Sequence, residues 1–538
     1  MRDSMPMCRS LGLAMSCLLA LVLAALAGCA PGAPPAPPPA PATAATPGIA
    51  WFDGTPEQAF ARARADNRPV FLYWSASWCP PCHELKAHVF SRPEVIERAR
   101  AFVAVYVDGD QDGAQKLGER FHVLGYPTAV VLRPDGTEIT RVGGGMDLEA
   151  YADALDVGLA DRRPIAAILA ALERPDAADL PLEDCRRLAF HGWGAEVGGD
   201  PAARARGFEQ AIERCPATAS LERARLALLA GQALAASESR ALQGGAPPSS
   251  RLAGPIFALQ ALLRDAKIAP RLADLLRNPD DALLAAARRT PGVDPVALRD
   301  AWVARLMATA RDPLVSPGVQ LSSAGAALQV YKGMTATPPP ATLATEARRL
   351  TEAALARYRD GFARTGVVNG ASWVYAALDD RTAARALLEH EVRTSANPHY
   401  YLSDLADLAE SEGDASGALR YFAQAYERVE GPASRFQWGV LYAQGLLRLA
   451  PRDTARIEQV TSAVLGELDG PDRLYTRSRV RLAQLDAGLR RWRDADPARA
   501  APVLDRLRRR IAPICARYEP RDPARADCDR FLAAPAAG

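Results

Sequence analysis

Hydrophobic positions follow two different rules along this chain. Between residues 51 and 160, short and nearly continuous apolar runs alternate with amphipathic segments; beyond 160, apolar residues recur at helical spacing with almost no strand pattern. Val70–Trp74 and Phe102–Val107 are apolar on both faces, as expected of strands covered from both sides. Ala129–Leu132 and Glu138–Val142 flank Arg133-Pro134-Asp135-Gly136, a β-turn sequence, and predict an antiparallel pair. Thr55-Pro56-Glu57-Gln58 starts a helix, with Thr as N-cap, Pro in the first turn and Gln three residues on, and the helix should run to about Asn67. A second helix follows Cys79 through Glu84, Leu85 and Val89 and restarts at Pro93. A short one carries Leu117 and Phe121, and a last one spans about 147 to 159. The expected order is helix, strand, helix, strand, helix, two antiparallel strands, helix: an α/β fold followed by an all-α region.

Within residues 161–538 an offset of 34 residues pairs Ser372 with Ala406, Ala384 with Ala418, Leu388 with Phe422 and Pro398 with Pro432. Small, Ala, Leu-or-aromatic and Pro positions at that period resemble tetratricopeptide repeats, and Phe208, Ala211 and Pro216 add a fragment. The resemblance implies helical hairpins; the competing expectation is a generic helical domain. Gly244–Pro248 and Thr337–Pro340 read as loops that mark candidate sub-blocks at 161–240, 255–333 and 343–538.

Composition changes little: 538 residues, 49% hydrophobic and 24% charged, with a net charge of +2, describe an ordinary globular chain and point to no nucleic-acid partner. The N-terminus changes more. Arg2 and Arg9 precede an apolar run from Leu11 to Ala27, the pattern of an export signal rather than a structural helix. Asp3 is unusual there and leaves Met5 or Met7 as alternative starts. An uncleaved membrane anchor is the competing reading, against which the run is short of the roughly 20 residues a span requires. Leu26-Ala27-Gly28-Cys29 resembles a bacterial lipobox, which implies cleavage of residues 1–28 and a lipid on Cys29. Ala30, where an Asp commonly signals inner-membrane retention, favours the outer membrane, and either way the body of the protein is expected in the periplasm. The Pro/Ala-rich stretch from Pro31 to Pro47, part of a tether over 29–50, should form a polyproline-type spacer reaching on the order of 50 Å.

Nine cysteines take their meaning from that compartment. Cys79 and Cys82, in Trp78-Cys79-Pro80-Pro81-Cys82, sit where a strand passes into a helix, the place of a redox Cys-x-x-Cys. Free N–H groups and the positive end of the helix dipole favour a thiolate at Cys79, which is therefore the expected nucleophile, with Cys82 resolving. Pro81 removes one of those N–H groups, stabilises the thiolate less, and leans the couple toward reduction. Zinc and a structural disulfide are the competing readings; zinc wants four ligands, and beyond His83 and His88 no second cysteine pair stands at suitable spacing. Cys185, Cys215, Cys515 and Cys528 form an even set with three possible connectivities, of which local pairing is preferred over buried free thiols. His191, His390 and His399 lack partner spacing and read as structural or surface residues, and Trp193, Trp373 and Trp438 as core anchors.

The element order, the Trp-Cys-x-x-Cys and Gly125-Tyr126-Pro127-Thr128 about 45 residues later resemble the thioredoxin superfamily over residues 51–160, and within it the thiol-reducing C-terminal periplasmic domain of DsbD, which has a segment similar to Phe90-Ser91-Arg92-Pro93. The resemblance implies that Pro127 is a cis-proline beside the site and that Tyr126 offers backbone hydrogen bonds to a substrate strand flanked by Trp78. It also exposes a departure: the buried acid that many members place six residues before the nucleophile is Tyr73 here, leaving Glu84 or His83 as substitutes at positions that are not the family's.

These features together describe a lipid-anchored periplasmic thiol–disulfide oxidoreductase that reduces or isomerises protein disulfides. It would need no cofactor beyond an electron-donating thiol partner. The alternative is an envelope-assembly lipoprotein whose helices carry the function and whose redox pair is vestigial or regulatory.

Overall fold

The computed structural model describes residues 48–142, 148–160, 163–174, 178–194, 200–470 and 473–533; the stretch read as an export signal, Cys29 and the Pro/Ala-rich stretch 31–47 lie outside them. The first part is the expected α/β unit: α1 (Pro56–Asp66), β1 (Val70–Ser75), α2 (Pro80–His88), α3 (Pro93–Ala99), β2 (Val103–Asp108), α4 (Ala114–Arg120), β3 (Thr128–Leu132), β4 (Glu138–Val142) and α5 (Leu148–Ala160). α1 begins with the capping box read from the sequence, Gln58 N–H donating to Thr55 Oγ1 and Thr55 N–H to Gln58 Oε1. It ends at Asn67 in the left-handed region, φ 49°.

The four strands lie in the order β2-β1-β3-β4. β1 runs parallel to β2, with Tyr73 opposite Tyr106, and antiparallel to β3, with Tyr73 opposite Ala129. Every residue of β1 is buried, which is why its sequence is apolar without alternation. β3 and β4 form a hairpin whose turn places Gly136 at φ 89°.

Helices follow to residue 530. The 34-residue register appears as paired helices: Arg381–Thr394 with Pro398–Ser411, then Ala415–Arg428 with Pro432–Leu449. Asp380 and Asp414 cap equivalent helices, accepting from the N–H of Ala383 and Gly417 at 3.0 and 2.8 Å. Gly244–Pro248 and Thr337–Pro340 are loops between helices, yet they do not divide the interior. One hydrophobic core runs from Phe71 in the sheet to Ala384 across both of them, and a second runs from Ala406 to Leu532. Cys185 is bonded to Cys215 and Cys515 to Cys528, each bridge joining neighbouring helices. Among the described residues no helix is long and apolar enough to cross a membrane.

One reading of a single aromatic residue needs correction. Trp373 is no core anchor: it is 54% exposed and lines an open cleft. Trp438 is buried, as a core anchor should be, in a cluster with Leu402, Ala425 and Val429, and it also meets Trp78 of the Trp-Cys-Pro-Pro-Cys segment.

Candidate redox site

β1 ends at Ser75, and the chain turns through Ala76–Trp78 to place Cys79 as the N-cap of α2. Pro80 and Pro81 occupy the first two helical positions, so the first available N–H is that of Cys82, and it points at Cys79 Sγ at 3.3 Å. A sulfur at this position receives one backbone donor and the positive end of the helix, the arrangement that lowers a thiol pKa. Cys79 and Cys82 are joined as a disulfide, with exposures of 1% and 0%.

Trp78 and Tyr126 pack around the pair with Ala76, and the Trp78 and Tyr126 rings lie 6.1 Å apart. The Tyr126–Pro127 peptide is cis. Thr128 Oγ1 donates to Gly125 O at 2.8 Å and braces this loop. The Tyr126 hydroxyl accepts from Gln115 Nε2 at 2.7 Å, and its pKa is raised chiefly by burial.

The place of the usual acid is filled by aromatic packing. Tyr73 stands edge-on to Phe90 at 4.8 Å, its hydroxyl 3.5 Å from Cys82 O, and burial pushes its pKa up, so it is no proton acceptor near neutral pH. The two candidate substitutes are occupied elsewhere. Glu84 Oε1 accepts the Gly318 N–H at 3.1 Å, turning the carboxylate toward the helical region. His83 packs at 4.8 Å from Phe362, and burial followed by the Lys86 charge lowers its pKa. Gly366 makes this approach possible: a Cβ there would collide with the Glu84 carboxylate.

The helical region supplies residues the sequence did not connect with the site. The Trp78 indole N–H is shared between Asp110 Oδ2 at 3.0 Å and Ser434 Oγ at 2.9 Å. Trp438 meets the Trp78 ring edge-on at 4.8 Å, and His399 meets Trp438 at the same separation. Arg477 lies over the Tyr126 ring at 4.6 Å. The one local signal was Asp108-Gly109-Asp110 at the carboxyl end of β2, the end of the parallel strands at which α/β sheets place their sites. For Ser434, Trp438 and Arg477 no local signal existed. On the other flank of α2, a cleft of about 1250 Å³ is lined by Pro80, Pro81 and Pro127 on one side and by Arg277 and Arg305 on the other.

Residues 56–158 match the thioredoxin-like domain family. The chain is 33% identical over 96 residues to the thiol:disulfide interchange protein DsbD of Klebsiella pneumoniae, covering 17% of this chain and 16% of that protein. It is 31% identical over 118 residues to DsbD 1 of Pseudomonas aeruginosa, covering 21% and 20% respectively. The DsbD of Yersinia pestis is 32% identical over 104 residues, covering 19% of this chain and 18% of the relative. The chain thus spans a fifth or less of the length of these curated relatives. A thioredoxin-like domain carrying a close Cys79–Cys82 pair supports thiol–disulfide redox chemistry.

Proposed function

We propose that the protein is a periplasmic, lipid-anchored thiol–disulfide oxidoreductase that reduces or isomerises protein disulfides, with Cys79 as nucleophile and Cys82 as resolving thiol. The observation that carries this is the Cys82 N–H directed at Cys79 Sγ at the start of a helix, inside a thioredoxin-like domain. In the reducing direction the Cys79 thiolate attacks one sulfur of a substrate disulfide. A mixed disulfide forms, and the other substrate sulfur leaves as a thiolate that takes up a proton. The Cys82 thiolate then attacks Cys79 Sγ, which forms the Cys79–Cys82 bond and releases the second substrate thiol. Two electrons have passed to the substrate, and a partner dithiol returns them. Trp78, Tyr126 and Pro127 seat the substrate strand, Pro127 being the cis-proline of this reading. Cys29 carries the lipid and residues 30–50 form the tether.

The test is reduction of insulin disulfides by the wild type, Cys79→Ser and Cys82→Ser, with dithiothreitol as electron source. Loss of activity in Cys79→Ser is expected, and equal activity in all three removes the enzyme reading. One observation favours a second reading, in which the helical region serves envelope assembly and the redox pair is regulatory: Cys79 is 1% exposed. The same assay separates the two.

A further inference from the structure

The face of a thioredoxin-like domain that must meet a partner is here in contact with the chain's own helices. Three of them contribute. From the Asn397 turn that opens helix Pro398–Ser411, the Asn397 amide donates to Ser77 O at 3.0 Å, next to the redox motif. From helix Pro432–Leu449, Ser434 donates from N and Oγ to the two oxygens of Asp110 at 3.1 and 2.7 Å and also accepts from Trp78. From helix Thr476–Ala495, Arg477 covers Tyr126, and Arg479 pairs with Glu119. The result is a nucleophile position with 1% exposure. Exchange requires an outside sulfur to approach Cys79 along the sulfur–sulfur axis. The cleft on the other flank reaches Pro80, Pro81 and Pro127 but is not lined by Cys79, which is too little exposed for a protein disulfide to line up with it in this arrangement.

Two features distinguish this seam from a permanent core. Apart from the packing of Trp78 on Trp438 and Tyr400, it is held by hydrogen bonds and an ion pair between groups that water can satisfy once they separate. The covering helices also belong to the second hydrophobic core, residues 406–532, whereas the sheet of the redox domain is continuous with the first, which ends at Ala384. The turn at Ser395–Asn397 between them is bridged by a small cluster of Val368, Leu388, Tyr401 and Leu405, the part of the interior about which the cover bends as it lifts.

We propose that helices Pro398–Ser411, Pro432–Leu449 and Thr476–Ala495 form a reversible cover over the redox site, and that Cys79 exchanges disulfides with a protein only after they separate from Trp78, Asp110 and Tyr126. The proposal rests on the redox reading for its purpose and not for its test. The helical region then decides when the site reacts, and a partner that engages the second core favours the open arrangement.

The test is the alkylation rate of Cys79 in the reduced full-length chain, with Cys82→Ser to leave a single thiol at the site. Iodoacetamide and a polyethylene-glycol maleimide serve as small and large probes, and mass spectrometry assigns the labelled cysteine. In the wild-type seam Cys79 should react at least about tenfold more slowly with the large probe than in the urea-unfolded chain. Ser434→Ala, and separately Asn397→Ala, should raise that rate up to about tenfold, the effect of one or two lost hydrogen bonds. Unchanged melting temperatures in these variants exclude unfolding as the cause. Cys79 in the intact chain labelling as fast as in the unfolded chain would overturn the cover, and that result needs no seam variant to fold. Seam variants that fold normally and label no faster than the wild type would also overturn it. Insulin assays keep the two proposals apart: fast labelling with insulin reduction removes the cover and keeps the enzyme, whereas slow labelling relieved by Ser434→Ala without insulin reduction in any variant does the reverse.

Discussion

Trp78 and Ser434 are 356 residues apart in the chain and 2.9 Å apart in space, the indole N–H of one donating to the hydroxyl of the other. Trp78 immediately precedes Cys79, and Ser434 sits in the first turn of a helix from the repeat region. Their hydrogen bond makes the helical region part of the redox site's surroundings, and the expected behaviour of variants follows from that placement.

The two cysteines should behave unequally. Cys82→Ser leaves the attacking thiol without a resolving partner and should accumulate mixed disulfides with substrate proteins, visible on non-reducing gels as adducts cleared by dithiothreitol. Cys79→Ser should accumulate none. Equal trapping by both variants would assign the nucleophile wrongly.

The two prolines at the start of α2 leave only the Cys82 N–H aimed at Cys79 Sγ. With fewer donors the reduced form gains less from its thiolate, so the couple should lie toward the thioredoxin end of the known range, about −270 mV, and away from the strongly oxidising end, about −120 mV. Equilibration with glutathione measures it, and a value near the oxidising end rejects the reducing direction. Replacing Pro81 by His restores an N–H and should raise the potential.

Stability should fall in acid through two buried histidines. His191 accepts the Arg141 N–H at 3.4 Å through Nδ1, and burial, then the Arg141 charge, holds its pKa down to about 3. His399, packed against Trp438, is held down to about 4 by burial, with Asp110 opposing. Unfolded, each titrates near 6.5, so between the two values the unfolded chain binds protons that the folded chain refuses. Their neutral forms are accommodated fully above pH 6.5, and stability is lost as pH falls from there toward 4 and 3. Urea midpoints at pH 7.5 and pH 4.5 should differ, and His191→Gln should reduce the difference.

Arg225 and Asp274 form a buried bidentate pair at 2.8 and 2.7 Å, joining helix Ser220–Gln243 to the short helix Ala273–Leu276, and the guanidinium lies 4.3 Å over the Phe190 ring. Arg225→Ala leaves the Asp274 carboxylate buried beside lost packing and should cost about 3–5 kcal/mol. Removing both members with apolar residues of similar volume should cost less, a comparison made by thermal melting of the single and double variants.

Removing the Cys185–Cys215 bridge by double Ser substitution frees a loop of sequence separation 30, and removing Cys515–Cys528 frees one of 13. Chain entropy puts the losses at about 3–4 and about 3 kcal/mol respectively. The melting temperature should be highest for the oxidised wild type, lower for the Cys515/Cys528 double variant and lowest for the Cys185/Cys215 double variant.

Much of this protein is written locally. Val70–Trp74 reads as a two-sided buried strand because it is apolar throughout, and the Thr55/Gln58 capping box and the Asp135-Gly136 turn satisfy their own backbone groups within four residues. The thiol pair is equally local, since a helix start and two sulfurs three residues apart are one stretch of chain. The 34-residue spacing likewise marks equivalent helices because each hairpin repeats the same packing against its neighbour. What the tertiary structure alone decided is how these pieces face one another. Trp438 reads from the sequence as a core anchor and His399 as a structural or surface residue, because burial has the same sequence signature whichever surface does the burying. Only the fold reveals that the buried partner is Trp78, that Glu84 is turned to Gly318, and that Arg477 lies over Tyr126. Contacts between residues more than two hundred positions apart leave no periodicity and no spacing in a single sequence; they exist because helices distant in the chain pack onto α2 and onto Trp78 just before it.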